Sequence, residues 1–243
     1  MGRSDSAADE TGGRLSSRGD EAPPPAVDGG WIDISLPITA ASVPWPGLDS
    51  PTVARPARME DGDSVNVGVL NVCLHTAAHA DAPFHVSPDG ATIERVGLDA
   101  YLGEARLVRL PNGAPAGIDR AALLAAGLPA QGRWPRRLLI ATGRPYDGVH
   151  WPTSIPAVAP DAAVLMVERG VALLGVDVPS VDPLDSRALT AHHILMDGGV
   201  AIVENLRFGG TPAGRYWLSA VPLAIHGGDA SPVRAVMRPL ADD

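Results

Sequence analysis

The sequence predicts a mixed α/β domain of the α+β kind, with a central β-sheet and a few short helices. Short apolar runs of strand length recur along the chain, only three capped helical segments lie between them, and 24 prolines and 27 glycines are spread through the rest. Many strands with few helices pack as layers around one core. At 243 residues a single core is expected, since single mixed domains commonly reach about 200–250 residues.

Residues 1–29 are polar, rich in Gly, Ser and Pro, and lack the apolar segment of a secretory signal. They are expected to be a disordered tail, with the folded domain over residues 30–243. Residues 31–38 (WIDISLPI) alternate as a strand does, and 41–51 (ASVPWPGLDSP) form a Pro/Gly-punctuated loop that holds Trp45 between two prolines. Residues 64–75 (SVNVGVLNVCLH) alternate again, with Val65, Val67 and Val69 on one face and Leu70, Val72 and Leu74 on the other.

Further strands are predicted at 104–110, 138–142, 171–176, 200–204 and 217–225. Asp119 opens a helix that closes at Gly127, and Pro160-Asp161 opens another that closes at Gly170. A third helix is predicted from Asp185-Ser186 to the Gly198-Gly199 pair. The frequent turn residues leave much of the chain in loops, where chemistry is often carried.

A net charge of −9 with no Lys/Arg cluster argues against nucleic acid and anionic membrane surfaces as partners, because both demand a basic face. No run approaches the ~18 apolar residues of a membrane span. The single cysteine, Cys73, cannot form an internal disulfide, which fits a reducing cytoplasm.

The densest chemistry lies at 75–85, HTAAHADAPFH, which gathers three of the seven histidines and one aspartate. His75, His79, Asp81 and His85 share one parity, so an extended backbone would point them to one side; a helix would instead join His75 and His79 at i, i+4. Pro83 disfavours helix at Ala82. Imidazoles with a carboxylate suit Zn²⁺, and Mn²⁺ as the oxygen share rises. A lone histidine is more often a hydrogen-bonded core or surface residue, the reading given to His150 and His226, but a cluster this tight is hard to explain as packing. Downstream, His192 and His193 project roughly 100° apart on the third helix, so only one can face a given site. Glu204 ends an apolar strand, where a carboxylate is unusual but could still be a surface charge.

HTAAHADAPFH resembles the HTGxHxDxPxH signature of the metal-dependent cyclase-family hydrolases, the group that includes bacterial kynurenine formamidases, or arylformamidases. The likeness extends through WIDISLPITAASVPWPG, GVDVPSVDPLDS, AHH, VENL and GGDASPVRAVMRP, and so covers nearly everything from Trp31 to Pro239. It implies a swivelling β/β/α fold with a barrel-like core, usually dimeric. It also implies two metal ions, usually zinc: His75, His79 and Asp81 on the first, with Asp81 bridging to a second held by His192 and Glu204. His85 would be the general acid/base and Trp45 the face for an aromatic substrate. The implied reaction is hydrolysis of N-formyl-L-kynurenine to L-kynurenine and formate. Two rivals stand beside it: opening of a cyclic aryl amide such as isatin, and a metal-binding homologue without activity, against which the retained His85 argues. One position departs from the signature. Where it has Gly this chain has Ala77, which would strain the loop by about 1 kcal/mol if the backbone there needs φ > 0.

Overall fold

The computed structural model describes residues 26–111 and 117–241. The first half holds β1 (Ala26–Val27), β2 (Trp31–Asp33), β3 (Thr52–Ala57), β4 (Val67–Asn71), β5 (His79–Asp81), β6 (Leu102–Arg109) and β7 (Gly117–Ile118). Then follow α1 (Arg120–Ala125), β8 (Arg137–Ala141), β9 (Ala157–Val158), α2 (Pro160–Glu168) and β10 (Leu173–Val176). The chain ends with α3 (Thr190–Asp197), β11 (Ala201–Glu204), β12 (Gly214–Ser219), β13 (Ala230–Pro232) and β14 (Val236–Pro239). The predicted tail lies outside the described residues up to position 25, and Ala26–Val27 pair with β2 upstream of Trp31.

Ten strands form one mixed sheet in the order β1-β2-β14-β12-β6-β8-β10-β11-β5-β13. Its middle, β6-β8-β10-β11, is parallel, and antiparallel strands flank it on both sides. Parallel strands are buried on both faces and read as continuous apolar runs. That is why residues 138–142 and 171–176 are legible as strands. Strand alternation sends Leu138, Ile140, Leu174 and Ile202 into one apolar cluster, which α1, α2 and α3 cover. It sends Leu139, Ala141, Leu173 and Val203 into a second cluster, closed by Ile34, Tyr101 and Phe208. The expected mixed fold with one central sheet and few short helices is the fold observed.

The helix caps were legible. Asp119 accepts a hydrogen bond from Ala122 N at 2.7 Å, and Gly127 and Gly170 follow α1 and α2 with positive φ. Four local expectations need correction, the first being the 31–38 strand, which pairs only over Trp31–Asp33 with an isolated bridge at Ser35. α3 starts at Thr190 rather than near Asp185, because a carboxylate nine residues before Ala191, Asp182, caps it through space. The predicted 217–225 strand is shifted to Gly214–Ser219, where it pairs with β6, and Leu223 is exposed. Residues 64–75 do not run as one strand into the histidine motif. Only Val67–Asn71 pair, with β3 in a separate two-stranded ribbon, and every residue of β4 is exposed.

Candidate metal centre

The pairing of β5 builds the site. This three-residue strand lies between β11 and β13, antiparallel to both, and its register sets His79 opposite Glu204 and Asp81 opposite Ala230. His79 and Asp81, two apart on a strand, therefore share a face beside Glu204. His192 comes from α3, whose C-terminal end leads directly into β11. His75 and His85 arrive by turns: His75 precedes β5 in an irregular segment, and His85 closes the 3-10 turn Pro83–His85. Extension is thus confined to His79–Asp81, and neither a longer strand nor a helix explains how the cluster converges.

Gly90 fixes the His85 turn from outside. A Cβ there would lie 2.4 Å from the backbone carbonyl of Pro83, so only glycine allows the returning loop to close on the turn.

Two triads share one residue. His75, His79 and Asp81 offer ligand atoms within 4.8 Å of one another, and so do Asp81, His192 and Glu204. His75 Nδ1 and His79 Nε2 lie 3.1 and 3.3 Å from Asp81 Oδ1, while His192 Nε2 is 3.5 Å from Asp81 Oδ2 and from Glu204 Oε1. Asp81, at the junction, is buried. His79 Nε2 and both Asp81 carboxylate oxygens have no hydrogen-bond partner among the described residues. Three orphaned buried atoms facing one another are costly unless something else satisfies them. A cation is the species that suits an imidazole nitrogen and a carboxylate together, so the donor set fits a metal.

The outward nitrogen of each histidine is also held. His75 Nε2 is 3.0 Å from Asp229 Oδ2, His79 Nδ1 is 2.9 Å from the Ala77 carbonyl, and His192 Nδ1 is 2.7 Å from Asp182 Oδ2. Such partners fix the tautomer and ring direction that a metal-facing nitrogen needs. Burial opposes protonation of all three rings, yet the surrounding carboxylates win. Burial is outweighed at His75 by the hydrogen bond with Asp229 and by the neighbouring Asp81 carboxylate, raising it to about 8. Against the same opposition, Asp81 and Glu204 raise His79 to about 10, and Asp182, Asp81 and Glu204 raise His192 to about 12. Asp81 is shifted the other way: burial resists ionisation, but His192, His75 and His79 hold its carboxyl well below the usual range. Without a cation, protons balance this anionic site.

His85 behaves differently. Burial lowers its pKa most strongly, with the charge of Asp81 pulling against it. Its ring lies 4.2 Å from that of His75, tilted by 41°, and its Nδ1 is 3.8 Å from Asp229 Oδ2.

A cavity of about 420 Å³ opens over this cluster. His75, His79, His85, His192 and Glu204 line one part of it, and Trp45, Leu48, Tyr146 and Trp151 line another. Trp45 meets Trp151 edge to face at 5.0 Å, and Tyr146 meets Trp151 at 5.6 Å. Among the described residues, all three non-glycine residues with positive φ, Ala77 (58°), Leu189 (43°) and Asn205 (57°), line the same cavity. Backbone strain concentrated at one pocket is a mark of a functional site. The conditional expectation for Ala77 is met, since its backbone is left-handed.

Every residue singled out from the sequence lies here: His75, His79, Asp81, His85, His192, Glu204 and Trp45. His193 faces solvent, as do His150, paired with Asp147, and His226, paired with Glu94. Sequence reasoning passed over Asp182, Asp229, Asn205, Tyr146 and Trp151. Trp151 precedes a proline as Trp45 does, which was a usable signal. The two aspartates carried none, because their partners are distant in the chain.

The model of the cyclase family matches residues 32–183. The chain is 40% identical to the kynurenine formamidase of Salinibacter ruber over 215 residues, which is 87% of this chain and 98% of that protein. It is likewise 40% identical to the kynurenine formamidase of Bacillus cereus, over 86% of this chain and 98% of that one. The solved structure of a potential metal-dependent hydrolase with cyclase activity superposes with a TM-score of 0.71 at 24% identity, covering 85% of this chain and 96% of its own. With that shared fold, the matched family model and relatives of this closeness, the chain belongs to the cyclase family.

Proposed function

We propose that this chain is a metal-dependent arylformamidase that hydrolyses N-formyl-L-kynurenine to L-kynurenine and formate. The observation that carries the reading is Asp81, shared by two ligand triads whose other members, His75, His79, His192 and Glu204, line a pocket together with His85 and an aromatic wall. The two formamidase relatives, alike over nearly their whole length, support the substrate.

His75, His79 and Asp81 would hold one ion, and Asp81, His192 and Glu204 a second. Zinc suits this mixture of imidazole and carboxylate, with manganese the next candidate. Metal bound there supplies Lewis acidity toward the formyl oxygen and lowers the pKa of water.

The chain's own residues do the rest. Trp45 and Trp151 give the aryl ring a rigid apolar seat. His85, kept neutral by burial, takes a proton from the attacking water and gives it to the aniline nitrogen as the C–N bond breaks. The carbonyl carbon leaves as formate.

We read the enzyme as a cytoplasmic homodimer. The β3-β4 ribbon supports the dimer, because Val53, Val67, Val69 and Leu70 are exposed on it and an isolated two-stranded ribbon is marginal in water. The unpaired Cys73 supports a reducing compartment. Among the described residues, no helix is long and apolar enough to cross a membrane.

The test is hydrolysis of N-formyl-L-kynurenine by purified protein, before chelation, after it, and after zinc is restored, with metal content measured at each stage. Zinc-restored turnover with two ions per chain is expected. Faster opening of isatin than of the formamide would overturn the substrate, and activity that survives full chelation would overturn the metal role.

A further inference from the structure

We propose that Asn205 is a substrate-binding residue whose Oδ1 accepts the scissile N–H, restricting the enzyme to secondary aryl formamides. The inference deepens the formamidase reading and rests on it. Among the described residues, five buried side-chain polar atoms lack a hydrogen-bond partner: Thr76 Oγ1, His79 Nε2, both Asp81 carboxylate oxygens and Asn205 Oδ1. Three belong to the metal triads and are answered by a cation. Of the other two residues, Asn205 lines the cavity and Thr76 does not.

The rest of Asn205 is tightly determined. The residue is 3% exposed, its N–H donates to the Val178 carbonyl at 3.1 Å, and its backbone is left-handed at φ 57°. Asn tolerates that conformation better than other residues with a side chain. A fixed backbone with a buried, unpaired acceptor at its pocket edge is a group waiting for a donor.

The position identifies the donor. Asn205 directly follows Glu204 and so sits at the metal end of the cavity, whereas Trp45, Tyr146 and Trp151 form its aromatic part. An aryl formamide with its ring on the aromatic wall and its formyl group at the metal end offers one donor there, the amide N–H. A carbonyl oxygen cannot satisfy Oδ1. In hydrolysis the nitrogen keeps this hydrogen, held by Asn205, and gains a second from His85 as the C–N bond breaks and water becomes the formate hydroxyl.

The experiment compares formanilide with N-methylformanilide, which lacks the N–H, in the wild-type holoenzyme and in Asn205→Gly and Asn205→Ala. Glycine keeps the left-handed backbone, so Asn205→Gly removes the carboxamide with least strain, and Asn205→Ala reports how much strain adds. Comparing variants within each substrate cancels the conformational difference between the two amides. Should N-methylformanilide turn over too slowly to time, its inhibition constant against formanilide takes the place of its kcat/KM. In Asn205→Gly, kcat/KM for formanilide is expected to fall about tenfold, the scale of one lost hydrogen bond, with metal content unchanged. The value for N-methylformanilide should change less than about twofold, since that hydrogen bond was never made. Equal losses on both amides, no loss on formanilide, or loss of metal would overturn the assignment of Asn205 while leaving the formamidase reading intact. Failure of the wild-type holoenzyme to hydrolyse both N-formyl-L-kynurenine and formanilide would overturn that reading, and this inference with it.

Discussion

His192 Nδ1 lies 2.7 Å from Asp182 Oδ2, and the same carboxylate receives the backbone N–H groups of Ala191 and His192 at 2.9 Å each. One buried side chain thus caps α3 and aims the imidazole that the helix carries. The aspartate stands ten residues before that histidine, so it joins a loop to a helix whose first turn has no side-chain cap of its own.

Asp182→Ala should therefore have two separable effects. Loss of the cap is expected to lower stability by about 1 kcal/mol, read from a denaturant melt of metal-free protein. Loss of the orienting partner should weaken binding of one metal equivalent roughly 10–100-fold, read by competition with a chelator. Asp182→Asn, which retains an acceptor, should recover most of the cap and only part of the metal affinity.

The shared position of Asp81 predicts a stoichiometric asymmetry. His192→Ala should leave one tightly bound ion, because His75, His79 and Asp81 remain as a set. Asp81→Ala should weaken both ions together, since both triads lose a ligand. Metal analysis after gel filtration separates the cases, and equal stoichiometry in the two variants would argue against Asp81 as a bridge.

Gly90→Ala tests how the His85 turn is held. The added methyl would meet Pro83 backbone at 2.4 Å, so the turn must shift. A displacement near 1 Å at a reacting group costs roughly 100-fold in rate. We expect kcat to fall on that scale with metal content preserved. Unchanged kcat would mean that the turn yields without moving His85.

Metal-free protein should lose stability as pH rises. The folded pKa of His75 is raised to about 8, above the ordinary 6.5, so its contribution is full below 6.5 and is lost as pH climbs through 8. His79 and His192 extend the loss to higher pH, with values of about 10 and 12. Metal binding displaces these protons, so it should release protons and gain strength over the same range. Thermal melts between pH 6.5 and 9, with and without zinc, should diverge: falling melting temperature without metal, and a widening increment from metal. A melting temperature of metal-free protein that rises with pH would contradict the assignment.

Much of the site was legible because its residues carry a local pattern. His75, His79, Asp81 and His85 fall within eleven residues, and a cluster of imidazoles has few explanations other than a metal or a catalytic role. His192 and Glu204 were suggested by an imidazole on a helix and a carboxylate ending an apolar strand. The strand 64–75 misled because alternation reports which residues share a face and not what covers that face. In β4 both faces are exposed.

The sequence by itself determined the three helices, the parallel central strands, the caps of α1 and α2, the class of fold and the residues able to bind a metal, because these depend on side-chain chemistry and spacing within one segment. Only the tertiary structure decided that His79 faces Glu204 across 3.4 Å, that Asp81 joins two triads, that Asp182 meets His192, and that Asp229 and Asn205 line the same pocket. Those relationships come from strand register and loop closure between segments up to 154 residues apart, as in His75 with Asp229. Pairing across such distances is chosen by burial of the whole sheet, and no local pattern encodes it.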